Sequence, residues 1–390
     1  MSSPDLNEDD RRSVLEVLET RYLSIGPKLE AFEDAVKKYC GARQAVGVCS
    51  GTAGLHLCVR AAGINPGDFV ITTPFSFISS ANVILFENAV PIFVDVDPTT
   101  GNIDPKLVKK AAADISSSKT DRMSQWLPRK GASISGKLRA ILPVDVFGQP
   151  VDYDELKKTA NTFSLTIIED SCEALGSEYK GKKAGRLGDF GVYAFYPNKQ
   201  ITTAEGGMIV TDNSEAAELM RSLRNQGRAP EDTWLQHTYL GYNYRLDEMS
   251  AALGLSQIQR LDELVEKRGR VAKLYNERLQ GILEIETPHI APPTTTMSWF
   301  VYVVRVMNGI SRDRLADCLE KEGIPVRPYF LPIHLQPYMV ERFGYQPGDF
   351  LVTEDLGRRS LALPFSGLMT AEQVDLVCSK LEVCIRKAIV

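Results

Sequence analysis

Two residues of the 390-residue chain stand where chemistry could be done, Asp170 and Lys199. Asp170 closes an apolar run at residues 167–170, and Lys199 lies just beyond a second run at 189–195. A glycine pair, Gly206 and Gly207, opens a third at 208–211. If such runs are parallel strands of an α/β sheet, their carboxyl ends share one edge, where ligands bind. A lysine forms Schiff bases with aldehydes, and pyridoxal phosphate (PLP) needs that lysine together with an acid at its ring nitrogen. Opposite charges about 4 Å apart are worth about 4 kcal/mol at an effective dielectric of 20, which favours a protonated ring nitrogen. Taken alone, such a pair is ordinarily a surface lysine and a strand-end acid. The surrounding elements decide.

Those elements alternate. Helical periodicity at residues 8–23 and 28–40 is broken by Gly26-Pro27. A short strand at 45–49 leads through Ser50-Gly51-Thr52-Ala53-Gly54 into a helix ending near Ala62. Further strands are expected at 69–72, 91–96 and 138–144, with helices between most of them; one opens at the N-cap Asp104 with Pro105 in its first turn. This rhythm predicts an α/β fold with a mostly parallel sheet covered on both faces. Residues 114–137, rich in Ser, Lys and Gly, interrupt it and read as an insertion. After Arg260 the texture changes to a long helix at 261–279, a Pro/Thr-rich loop, a strand at 299–306 and a helix at 311–321. A final helix opens with Thr370 and Gln373 at capping-box spacing. The expected organisation is a large domain over 1–260 and a smaller α+β domain over 261–390.

Composition narrows the function classes. The net charge of −5 and the scattered basic residues give no broad reason to bind nucleic acid or an anionic membrane. The acidic N-terminus lacks a signal-peptide core, and no apolar run approaches the roughly 20 residues needed to span a bilayer. Seven cysteines and four histidines show no metal-ligand spacing, so no metal site is expected. The cysteines read as small buried thiols of a cytoplasmic protein. Cys172, beside the candidate site, has no evident base next to it and is not read as a nucleophile.

Three more stretches carry weaker signals. Small residues at 50–53, between a strand and a helix, would let a phosphate approach backbone N–H groups, although an ordinary N-cap looks the same. Phe75 and Phe77 follow the strand at 69–72 and offer an aromatic face, or simply core packing. Tyr242, Asn243, Tyr244 and Arg245 precede a helix of small residues.

Together these residues resemble the PLP-dependent nucleotide-sugar aminotransferases of the DegT/StrS family. The resemblance rests on Ser50-Gly51-Thr52-Ala53, Ser76-Phe77, Asp170 with Glu173-Ala174-Leu175-Gly176, and Phe195-Tyr196-Pro197-Asn198-Lys199. It continues in Glu205-Gly206-Gly207 and Gly241-Tyr242-Asn243-Tyr244-Arg245, so that it spans nearly the whole chain. It implies the fold of aspartate aminotransferase (fold type I), with a seven-stranded large-domain sheet. It also implies that Lys199 binds PLP covalently, that Asp170 holds the ring nitrogen, and that Phe77 stacks on the ring. Glu173 stands where the family usually has glutamine near the ring hydroxyl. Thr52 and Ala53 would bind the phosphate, and Asn243 would reach it from the partner subunit of a homodimer with shared active sites. Arg245, Arg327 and His334 are the implied substrate contacts. The implied reaction moves an amino group from L-glutamate to a nucleotide-linked keto-sugar. The Arg327-Pro328-Tyr329-Phe330 segment leans towards C4 of a 4-keto-6-deoxy sugar, as in perosamine synthesis. Two departures stand out: Ala194 replaces a frequent serine and Ala204 a usual glycine. The alternatives are another PLP activity of the same fold, such as dehydration or amino-acid transamination, and a non-catalytic regulatory homologue. The family's dehydratase branch has histidine in place of the lysine, so Lys199 argues for amino transfer, and Lys199 with Asp170 speaks against the regulatory reading.

Overall fold

The computed structural model describes residues 3–117 and 119–389. Met1, Ser2 and Val390 at the expected domain ends, and Ser118 in the expected insertion, lie outside the described residues. Short Val-, Ile- and Phe-rich runs, buried along most of their length, form the central seven-stranded sheet. In spatial order its strands are Gln44–Val48, Gly207–Thr211, Phe190–Ala194, Thr166–Asp170, Leu138–Leu142, Phe69–Thr72 and Val90–Phe93. Gly207–Thr211 runs antiparallel to both neighbours, and every other pairing is parallel. Hence the strands ending at Val48, Thr72, Asp170 and Ala194 all discharge at one edge. The helix Gly51–Ala61 packs so closely on the sheet that a Cβ on Gly54 would lie 2.8 Å from Val192.

A second, antiparallel sheet orders Ile285–Glu286, Tyr302–Val306, Ser360–Leu363 and Arg327–Pro328. Helices Leu261–Leu279, Arg312–Lys321 and Ala371–Ala388 share a core with it through Tyr275, Tyr302, Leu315, Leu363 and Leu381. This is the α+β texture expected late in the chain. The stretch between its strands does not stay with it: Ile333, Met339, Phe343 and Tyr345 pack into the core beneath the large sheet, with Phe69 and Ile92. Asp95, just past the Val90–Phe93 strand, accepts the N–H groups of Val352 (3.0 Å) and Thr353 (2.9 Å), and so caps the helix Leu351–Arg359.

The interruption at 114–137 is more ordered than its composition suggests. The helix Pro105–Ile115 runs into it, and a short helix follows at Thr120–Ser124. Trp126 donates to Asp114 (3.1 Å), and Arg129 grips Asp349 through both guanidinium nitrogens at 2.5 and 2.7 Å. The segment therefore straps the 337–350 stretch onto the large sheet. The expectation of seven free thiols is corrected: Cys318 and Cys384 form a disulfide. Their helices, Arg312–Lys321 and Ala371–Ala388, pack side by side and bring the two Cα atoms to 5.6 Å, a bridgeable separation. No described helix is long and apolar enough to cross a membrane.

Ala204 has φ +67°, in the left-handed region, which explains why glycine suits this position. That conformation costs alanine roughly 1 kcal/mol, partly offset by the greater freedom of glycine in the unfolded chain. Ala204→Gly is therefore expected to raise the denaturant midpoint slightly, by the equivalent of about 0.5 kcal/mol. A lowered midpoint would show that the turn carries no strain.

Candidate active site

Four segments leaving the common sheet edge meet at one cavity of about 430 Å³, a size typical of small-molecule sites. The Thr166–Asp170 strand delivers Asp170, and the Phe190–Ala194 strand continues to Lys199. Both side chains line this cavity. The turn carrying the lysine is closed by Lys199 N–H on the Tyr196 carbonyl (2.9 Å) and Thr203 N–H on the Phe195 carbonyl (3.0 Å). Ser50, Gly51 and Thr52 border the cavity at the start of the helix Gly51–Ala61, and Phe77 stands at its rim, 62% exposed. Phe300, Tyr329 and Phe330 close it from the later part of the chain.

Asp170 is buried, with one oxygen accepting from the Ser80 hydroxyl (2.7 Å) and the other from the Cys172 N–H (3.2 Å). The two donors fix the orientation of the carboxylate. Behind it, Ser171 has one hydroxyl proton but faces two buried carboxyls, Asp145 (2.7 Å) and Glu169 (3.0 Å). Burial, and then Glu169, push Asp145 well above the usual carboxylate range; burial raises Glu169 as well, opposed by the N–H groups of Gly185, Leu187 and Gly188. The Asp145–Glu169 pair therefore resists carrying two charges behind Asp170.

Lys199 Nζ lies 3.9 Å from the centroid of the Phe300 ring and 3.8 Å from Glu173 Oε1. Glu173 also accepts the Phe147 N–H at 2.9 Å. Burial raises its pKa above the ordinary 4.5, and the Lys199 ammonium opposes that shift. Among the described residues lining the cavity, Lys199 is the sole Lys, Arg or His.

The remaining expected contacts divide. Thr52 lines the cavity, its hydroxyl paired with that of Ser79 (2.8 Å). The Ala53 N–H is taken by the Ser50 hydroxyl (3.1 Å), the helix's own N-cap. Asn243 is exposed and Arg245 bonds to Asn225 (3.2 Å); neither borders the cavity within one chain. Arg327 is exposed and paired with Glu320 (2.9 Å), two residues before the cavity-lining Tyr329. His334 is corrected as a substrate contact. It is fully buried, its Nε2 is 3.0 Å from Glu354, and its ring packs on Phe350 at 4.7 Å, because the Ile333–Leu335 turn points it into the core. Residues not foreseen are Ser80, which steadies Asp170, and Phe300, which faces the lysine. Both are common residue types in apolar surroundings and carry no signal in sequence.

A model of the DegT/DnrJ/EryC1/StrS aminotransferase family matches residues 4–382. The chain belongs to this family. GDP-perosamine synthase from Caulobacter vibrioides is 36% identical over 386 residues, covering 98% of this chain and 97% of that protein. The solved structure of Helicobacter pylori PseC, an aminotransferase involved in the biosynthesis of pseudoaminic acid, superposes with a TM-score of 0.88 at 28% identity, covering 99% and 98%. The PLP-form of Spr1654 from Streptococcus pneumoniae does so with 0.87 at 25%, covering 100% and 99%. This DegT/DnrJ/EryC1/StrS member is a PLP-dependent sugar aminotransferase.

The residues present fit that cofactor. A carboxylate and a lysine face one cavity, and a helix N-terminus opens onto it as a phosphate seat. A Cβ on Gly51 would lie 2.8 Å from both Ala194 Cβ and Cys172 Sγ, so the glycine leaves the helix start seated against position 194.

The raised pKa of Glu173 gives a pH test. Ionised Glu173 weakens the fold as pH rises from about 4.5, its ordinary value, through the raised folded value. Glutamine does not titrate and still accepts the Phe147 N–H. The cofactor-free Glu173→Gln chain should melt above wild type near pH 7, with the gap narrowing towards pH 4.5. A gap independent of pH would assign the difference to packing alone.

Proposed function

We propose that this enzyme transfers an amino group from L-glutamate to the keto carbon of a nucleotide-linked sugar, with C4 of a 4-keto-6-deoxy sugar as the acceptor. The observation carrying this reading is the shared cavity of Asp170 and Lys199, roofed by Tyr329 and Phe330 of the segment that resembles perosamine synthases. When bound, PLP supplies an electron sink for the charge left as a Cα proton departs. Asp170 holds a proton at the ring nitrogen. Lys199 Nζ would bind the cofactor, and as a free amine it would take the donor's Cα proton and return one to the sugar carbon. Thr52 and the first N–H groups of the Gly51–Ala61 helix orient the phosphate, while Phe77 covers one face of the ring. Phe300, Tyr329 and Phe330 keep water from the reacting atoms.

A phosphate, a donor with two carboxylates and a nucleotide diphosphate are all anionic, whereas Lys199 is the only cation lining the cavity among the described residues. Further positive charge must come from its mouth. Arg327 suits the diphosphate, and Asn243 and Arg245 of a second copy suit the phosphate and the carboxylate. A homodimer agrees with the exposed apolar residues Trp234, Leu235 and Leu240 (81, 69 and 80% exposed), next to the Tyr242–Arg245 stretch.

Two measurements test this. The first incubates the enzyme with ¹⁵N-glutamate and UDP-, dTDP- or GDP-linked keto-sugars and reads the products by mass and NMR. A 4-amino-6-deoxy product is expected; amination of another carbon would refute the acceptor assignment, and no amination of any sugar would refute the reaction. The second mixes Lys199→Ala with a chain carrying Asn243→Ala and Arg245→Ala. Random reassociation should restore about a quarter of wild-type activity, since half the dimers would hold one intact site. No recovery despite subunit exchange would place the whole site within one chain.

A further inference from the structure

Arg268 is a charged side chain buried without a charged partner. It lies on the helix Leu261–Leu279, is 4% exposed, and has no carboxylate oxygen within 4.0 Å among the described residues. Its guanidinium is bound instead by four backbone carbonyls in two pairs. One terminal nitrogen donates to Trp299 (3.1 Å) and Phe300 (3.2 Å). The other donates to Asn198 (3.3 Å) and Lys199 (2.7 Å). An isolated buried cation is unfavourable, and here burial alone pulls the guanidinium pKa down to about 10, still well above neutral pH.

The two carbonyl pairs identify what this arrangement holds. One pair belongs to the turn that carries Lys199. The other ends at Phe300, whose ring centroid is 3.9 Å from Lys199 Nζ. In extended chain, successive carbonyls point in opposite directions. Trp299 instead has φ +54°, a conformation rarely adopted by so large a residue, and this lets its carbonyl and that of Phe300 meet one nitrogen. Such backbone persists only where its surroundings over-determine it. The planar fork of arginine spans two separated pairs of acceptors; a lysine ammonium is a single compact centre, and methionine has no donor at all.

We infer that Arg268 is a positioning residue for amino transfer: its guanidinium ties the backbone of Lys199 to that of Phe300 and so fixes where the lysine nitrogen stands in the cavity. The inference rests on Lys199 being the cofactor-binding lysine, as proposed above. It adds a link between the two parts of the molecule. Three and four residues beyond Arg268, Val271 and Ala272 enter the core of the later α+β unit, so that core is anchored to the lysine through one side chain.

The test compares full-length wild type, Arg268→Lys and Arg268→Met. Each is measured for the PLP dissociation constant, the pH midpoint of the visible cofactor band, kcat and KM with glutamate and an accepted keto-sugar, and thermal midpoint without cofactor. Misplacing a reacting group by about 1 Å can cost a hundredfold in rate, so both variants should lose at least about tenfold in kcat, with sugar KM within about twofold of wild type. The pH midpoint of the cofactor band should shift in both, and Arg268→Lys should recover part of the loss seen in Arg268→Met. A lowered thermal midpoint with wild-type kcat and an unmoved pH midpoint would make Arg268 merely structural and overturn the inference. If Arg268→Met is insoluble, Arg268→Lys, which keeps the charge and most of the volume, decides the matter alone. Failure of wild type to carry PLP on Lys199 would overturn the lysine assignment itself. Wild-type labelling at Lys199 with unaffected variants would overturn only the role of Arg268.

Discussion

The site depends on the direction of strands. Because Thr166–Asp170 and Phe190–Ala194 pair in parallel, with Ile168 opposite Phe190 and Asp170 opposite Val192, the acid and the segment leading to the lysine leave the sheet at the same edge. Gln44–Val48 and Phe69–Thr72 run the same way and bring the helix start at Ser50 and the Ser76–Ser80 turn to that edge. A one-residue slip would turn each side chain to the opposite face of the sheet. The sheet thus acts as a jig, and its buried Val, Ile and Phe residues set the positions of polar groups they never touch.

Around that edge, charge is distributed sparingly. One carboxylate, Asp170, is oriented by a hydroxyl and an amide, while burial and Glu169 push its buried neighbour Asp145 above the usual carboxylate range. Lys199 faces an aromatic ring on one side and Glu173 on the other. Arg268 supplies fixed positive charge behind the lysine, aimed at carbonyls rather than at the cavity. The outer cations, Arg245 and Arg327, sit away from the cavity of the single chain. This division leaves an interior suited to moving a proton and a rim suited to holding anions.

Much of this was legible in the sequence. Strand-length apolar runs ending in Asp170 and before Lys199 placed both residues at one sheet edge, and the small residues at 50–53 marked a helix start. Side-chain pattern could not show which way short turns point. His334 lies close in sequence to cavity residues Tyr329 and Phe330, but the turn at Ile333–Leu335 carries it into the core. The pairing of Cys318 with Cys384, 66 residues apart, depends on how two helices pack, and helical periodicity does not encode that. Arg268 falls on the buried stripe of its helix with Leu264, Val271 and Tyr275, but its partners are backbone carbonyls, which have no sequence signature. The strap at 114–137 was visible as an interruption, but its grip on Asp349 was not.

The central claim is that a single lysine nitrogen bears the cofactor beside a single acid. Borohydride reduction of the PLP-loaded enzyme, followed by peptide mapping, tests this most directly. The account predicts the reduced cofactor's mass on the peptide containing Lys199 and on no other lysine, with Asp170→Asn still labelled there but slowed in turnover by roughly a thousandfold, the rate equivalent of about 4 kcal/mol. Cofactor mass on a different lysine, or an Asp170→Asn enzyme as fast as wild type, would contradict it.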